Sequence, residues 1–136
     1  MSEIFYRDLP ALFAALLIGV LFVQSSVDKL TDWGSNKAWL RQHFGDTVLK
    51  PFVVVMLVTL TLLECLAGLA ALAGIVAYFA NGSLVFVHLA SIIAALTITA
   101  LFFGQRVAKD YAGAAVLVPY FLLSLALMFL SKPAVR

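Results

Sequence analysis

Glu64 is the one charged residue in an apolar run from Phe52 to Val76, FVVVMLVTLTLLECLAGLAALAGIV. A carboxyl in such a place is costly unless it is protonated, paired or hydrated, so position alone makes it a functional-site candidate. Other polar groups stand at the edges of other apolar runs. Gln24, Asp28 and Lys29 close the first, and Arg106, Lys109 and Asp110, with Gln105, fill the connection before the last. A lone imidazole, His88, lies inside the third run. Opposite charges gathered at a membrane boundary can simply neutralise one another. The same groups can instead form a polar pocket, opening to one membrane face, that holds the head of an amphipathic ligand with its tail among the helices. A third reading makes protonation of Glu64 the gate of a binding or transport module for a small or lipid-like ligand. A fourth makes the chain a structural scaffold in which Glu64 only hydrogen-bonds His88 or a serine.

Independent catalysis is not expected, because the candidates for a nucleophile–base pair are an isolated histidine and scattered hydroxyls. His43 falls in a loop and His88 stands alone, so no histidine pair is set to hold a haem across helices. The single cysteine, Cys65, excludes an internal disulfide and a dithiol relay. There is no nucleotide-binding glycine motif, no metal site is expected, and no covalently bound cofactor is expected. With 9 Lys and Arg against 7 Asp and Glu, the charge is too weak and scattered for nucleic acid.

The elements that must position these residues follow from composition. The chain is 64% hydrophobic and 12% charged, whereas soluble domains carry about 25% charged residues, so it belongs in a lipid bilayer. Four apolar segments occupy nearly all of residues 1–136 and predict one integral membrane domain. The expected fold is an all-α bundle of four transmembrane helices, over about 9–30, 52–79, 83–103 and 114–130. The residues before the first run hold Glu3 and Asp8 against Arg7, and no small-residue cleavage site follows it. It therefore reads as a retained span and not a signal peptide.

Between the first two spans, Trp39, Leu40 and Phe44 form an apolar face opposite Lys37, Arg41 and Gln42. This predicts a short amphipathic helix over about 36–44, capped by Ser35 or Asn36 and ended by Gly45. It either lies on the membrane surface or forms a lid over a pocket between the helices. In the second span, Ala67/Ala71 and Ala70/Gly74 are small-residue pairs that let a neighbouring helix approach closely, with Glu64 on the same stripe. Asn81-Gly82 makes a tight turn. His88, Ser91, Ala95 and Thr99 form one stripe on the third span; His88 is satisfied by a hydroxyl or carbonyl, or meets Glu64 if faces and depths agree. Pro10 fits a first helical turn, whereas Pro119 should kink the last span. The two connections on one side hold Lys29, Lys37, Arg41, Lys50, Arg106 and Lys109, and the other side holds Arg7, Lys132 and Arg136. The positive-inside rule then puts both connections in the cytoplasm, unless a pocket consumes Lys29, Arg106 and Lys109 and levels the count.

Three stretches, VQSSVDKL, LLECLAGLAALAG and GQRVAKDYAG, resemble the DoxX-like family of small four-helix integral membrane proteins. The resemblance covers the start, middle and end of the chain and makes Lys29, Glu64 and Gly68 the characteristic positions. The chain departs from the family where QSSVDK replaces a glycine before the lysine. It departs again where GQRVAKDYAG replaces a glycine-rich turn with an aspartate. Family resemblance implies a non-catalytic membrane subunit or accessory protein of a redox system. Its expected associates are quinone, a membrane oxidoreductase complex or a homo-oligomer, in a bacterial inner (cytoplasmic) membrane.

Overall fold

The computed structural model describes residues 3–132, and among these every regular element is helical. Four long helices, α1 (Glu3–Thr31), α3 (Val53–Asn81), α4 (Val85–Val107) and α5 (Tyr111–Leu130), are long and apolar enough to cross a membrane. A shorter helix, α2 (Trp33–His43), and a 3₁₀ turn at Lys50–Phe52 lie between α1 and α3. The chain is an all-α, four-helix integral membrane bundle. Met1, Ser2 and the end of the polar tail, with Arg136, lie outside the described residues.

Small residues set the packing. α3 is central: its Gly68 lies against Val23 of α1, and its Gly74 lies against Val87 of α4. A Cβ at Gly68 would stand 2.9 Å from the Val23 backbone nitrogen, and one at Gly74 would stand 2.7 Å from that of Val87. Bare backbones therefore bring the helices together where lipid offers no hydrophobic drive for association. Ala67 and Ala71, fully buried, complete the stripe. α5 packs on α4 and closes only lightly against α1.

Helix ends are fixed locally. Gly82 adopts a left-handed φ of 74° and returns its N–H to the Tyr78 carbonyl, turning α3 into α4. The Asn81 side chain accepts from the Ser83 N–H at 3.0 Å. α4 runs on to Val107, past the expected 103, and so carries Gly104 and Gln105 within the helix. Its C-cap is Ala108, followed by Lys109, a non-glycine residue at φ 62°, beyond which the Asp110 N–H reaches the Gln105 carbonyl. The Asp110 carboxylate then caps α5 by accepting from Gly113 N–H at 2.9 Å, which starts that helix at Tyr111 and not at 114.

α1 begins at Glu3, ahead of the expected 9. Pro10 therefore lies inside the helix and not in its first turn, where it withholds the N–H that would bond the Tyr6 carbonyl. Pro119 lies inside an unbroken α5. The N-cap of α2 is Asp32, without a side-chain cap, and not Ser35 or Asn36. That helix ends at His43, with Phe44 as its C-cap.

α1 and α3 are antiparallel, with Tyr78 opposite Asp8 and Glu64 opposite Lys29. In this register α1 stops where α3 still has roughly two turns to run, about 10 Å. The shortfall leaves a notch, and α2 lies across it.

Candidate functional site: a cavity on the Lys29–Glu64 pair

The floor of the notch is an ion pair. Glu64, 1% exposed, receives Lys29 Nζ at 3.0 Å on Oε1 and 3.1 Å on Oε2. The ammonium's third donor goes to Ser25 Oγ at 2.9 Å. Lys29 thus uses all three of its N–H groups, and the carboxylate charge is matched where lipid and protein would otherwise desolvate it. Thr61, one turn from Glu64, gives its hydroxyl to the Leu57 carbonyl instead.

Above this pair is a cavity of about 430 Å³. α3 contributes Met56, Leu57, Leu60 and Leu63, and α4 contributes Ala100, Leu101 and Gly104. The roof is one stripe of α2: Asn36, Trp39, Leu40 and His43, at the i, i+3, i+4, i+7 spacing of a single helical face. The amphipathic helix therefore covers a cavity, the second of the two roles open to it from sequence. Among the described residues lining this space, Lys29 is the sole lysine, arginine or carboxylate. The rim is apolar: Trp39, Val55 and Phe103 are 55%, 63% and 62% exposed.

His43 ties the roof to the bundle. Its Nε2 lies 3.1 Å from Gln105 Oε1, donating to that carbonyl, and 3.9 Å from Asp110 Oδ2. Trp39 stacks on the imidazole at 4.4 Å and 15°. Phe44, next in the chain, is buried beside Gly104. Reading His43 as a loop residue hid this role. The 36/39/40/43 spacing was the signal that could have revealed it.

The structure distributes the candidate residues unevenly. Lys29 and Glu64 meet. Gln24 and Asp28 do not join them, for they are exposed and line no part of the cavity. Successive helical residues point about 100° apart, so turning Lys29 inward turns Asp28 out. Arg106 is exposed, with its guanidinium 4.9 Å from the centre of the Tyr111 ring. Lys109 is exposed, and its part is the backbone turn that ends α4. Asp110 caps α5 with one oxygen and faces His43 with the other.

His88 does not reach Glu64. Gly74 packs on Val87, which places His88 about ten residues, or 15 Å, along the bundle from Glu64. His88 Nδ1 instead lies 3.1 Å from Ser131 Oγ, whose proton goes to the Leu127 carbonyl at 2.6 Å. A second buried polar contact, not anticipated from sequence, sits at that end: Tyr78 donates to Asp8 at 3.0 Å, with Asp8 3% exposed.

No protein-family model, no curated protein and no solved structure matches this chain.

Proposed function

We propose that the protein is a non-catalytic membrane subunit or accessory protein of a quinone-linked redox system, and that the cavity binds a lipid-soluble ligand with a polar ring head. The observation that carries this reading is the cavity itself, about 430 Å³, apolar in wall and rim, with Lys29 as its charged lining residue. That volume lies within the range of sites for small organic ligands, roughly 300–1,000 Å³, and apolar walls with few polar groups are their usual lining. Val55 and Phe103 of the rim stand on membrane-spanning helices, where they face acyl chains, so the ligand it suits is dissolved in the bilayer. A carbonyl on such a ligand would meet Lys29 as donor, with Ser25 the neutral acceptor that gives way. The resemblance to DoxX-like proteins supports the redox setting, quinone as the ligand and a bacterial inner membrane as the location.

Native mass spectrometry of the gently extracted protein, with extraction of retained lipids, tests this reading. A retained quinone, or a co-purifying oxidoreductase, is the expected result. Leu63→Trp should fill the cavity while leaving the Lys29–Glu64 pair in place, and should abolish quinone retention without loss of folded protein. Quinone retained equally by the filled variant would place the ligand elsewhere. A bare monomer or homo-oligomer from native membranes would move the weight to a scaffold.

A further inference from the structure

We propose that α2 is a hinged lid whose position sets the width of the cavity mouth. It pivots at Asp32 and is latched at its far end by His43 on Gln105. This inference rests on the binding site proposed above and adds how that site is entered.

Five features carry it. α2 has no buried residue, and the apolar anchor of its far end is the single ring of its C-cap, Phe44. Among the described residues, His43 makes its one side-chain hydrogen bond to another helix, at 3.1 Å to Gln105. The near end is a single residue: Asp32, at φ −130° and ψ 46°, joins Thr31 of α1 to Trp33 of α2 without a side-chain cap. Space is open around Gly34, where an added Cβ would meet nothing within 4 Å. The far end is followed by a run of turns, residues 44–49, that can follow its movement.

Trp39 connects the lid to the mouth. It belongs to α2, forms the rim with Val55 and Phe103, and stacks on the latch residue itself. In the closed position Phe44 is seated beside Gly104. Swinging the His43 end away unseats Phe44, carries Trp39 from the rim, and widens the passage between bilayer and cavity.

The chain supplies its own reporter, because Trp33→Phe leaves Trp39 as the sole tryptophan. The protein is placed in nanodiscs, and two readouts are taken. The first is ligand-free quenching of Trp39 by brominated phosphatidylcholine. The second is stopped-flow quenching by decylubiquinone. Gln105→Leu removes the latch acceptor while keeping the Trp39–His43 stack. Loss of one neutral hydrogen bond shifts an opening equilibrium by about threefold to tenfold. Association and dissociation of decylubiquinone should both quicken by about that factor, and ligand-free quenching should change in the same variant. In a Cys65→Ser background, His43→Cys with Gln105→Cys, bridged by dibromobimane, should slow exchange below that of the unbridged protein.

Equal exchange rates in parent, released and bridged proteins would overturn the lid. Unchanged ligand-free quenching in Gln105→Leu would overturn it too. Absence of any decylubiquinone quenching in the parent would instead overturn the binding reading. The lipid-quencher measurement still decides the lid in that event.

Discussion

Lys29 and Glu64 hold each other in a setting neither could occupy alone, and the energetics of such a pair are asymmetric. Removing one partner from a buried pair typically costs about 3–5 kcal/mol, whereas replacing both with apolar residues is often neutral. The Lys29 side chain is 19% exposed, at the cavity, which favours the lower end of that range. Lys29→Met should therefore destabilise the protein by about 3 kcal/mol, and Lys29→Met with Glu64→Leu should recover most of the loss. Denaturant unfolding in micelles measures both, and equal losses in the single and double variants would show that the pair is not the source. Lys109 offers a prediction of opposite sign. A left-handed conformation costs a non-glycine residue about 1–2 kcal/mol, so Lys109→Gly should raise stability by about 1 kcal/mol in the same assay. A fall would mean that the lysine side chain matters more than its backbone. At this scale the sequence announced Glu64 through the apolar run around it. It did not announce Glu64's partner, since Lys29 and His88 were both polar groups of plausible depth. Only helix register and rotation choose between them.

At the scale of elements, the glycines on α3 are not equivalent to the one on α1. A Cβ at Gly74 meets the Val87 nitrogen, backbone that cannot step aside, while one at Gly19 meets the Leu72 side chain, which can turn. Gly74→Ala should cost about 1–3 kcal/mol and Gly19→Ala clearly less, measured by thermal unfolding of the detergent-solubilised protein. Similar losses at both positions would mean that α3 and α4 have room to separate. The small-residue stripe on α3 was legible because its spacing is that of one helical face. The notch was not, for α1 and α3 are both 29 residues long and it comes from the stagger between them, which appears only when the two are set in register. His43 was missed for a related reason. Its meaning lies in the face it shares with Asn36, Trp39 and Leu40, and that face acquires a purpose only when a cavity lies beneath it.

For the whole molecule, four spans could be counted directly from apolar length. Orientation gains from the structure. Lys29 is withdrawn into the bundle, but Arg106 and Lys109 stay exposed and count as surface charge. Lys37, Arg41, Lys50, Arg106 and Lys109 then outnumber Arg7, Lys132 and Arg136, so the α1–α3 and α4–α5 connections should face the cytoplasm. In a Cys65→Ser background, Lys50→Cys should resist a membrane-impermeant maleimide applied to intact cells, and Arg7→Cys should react. The reverse pattern would invert the topology. The ion pair also bears on how the protein is made. Inserted singly, a helix with an unpaired charge near its centre is penalised by about 3 kcal/mol, and α3 is such a helix. Lys29, two residues from the end of α1, can keep its ammonium at the headgroups while synthesis continues; Glu64 has no such refuge. α3 has the highest mean hydropathy of the four spans and can still enter the bilayer. It is thus expected to insert more efficiently in the company of α1 than alone, because a nascent chain that lost α1 would carry Glu64 into lipid without its counter-charge.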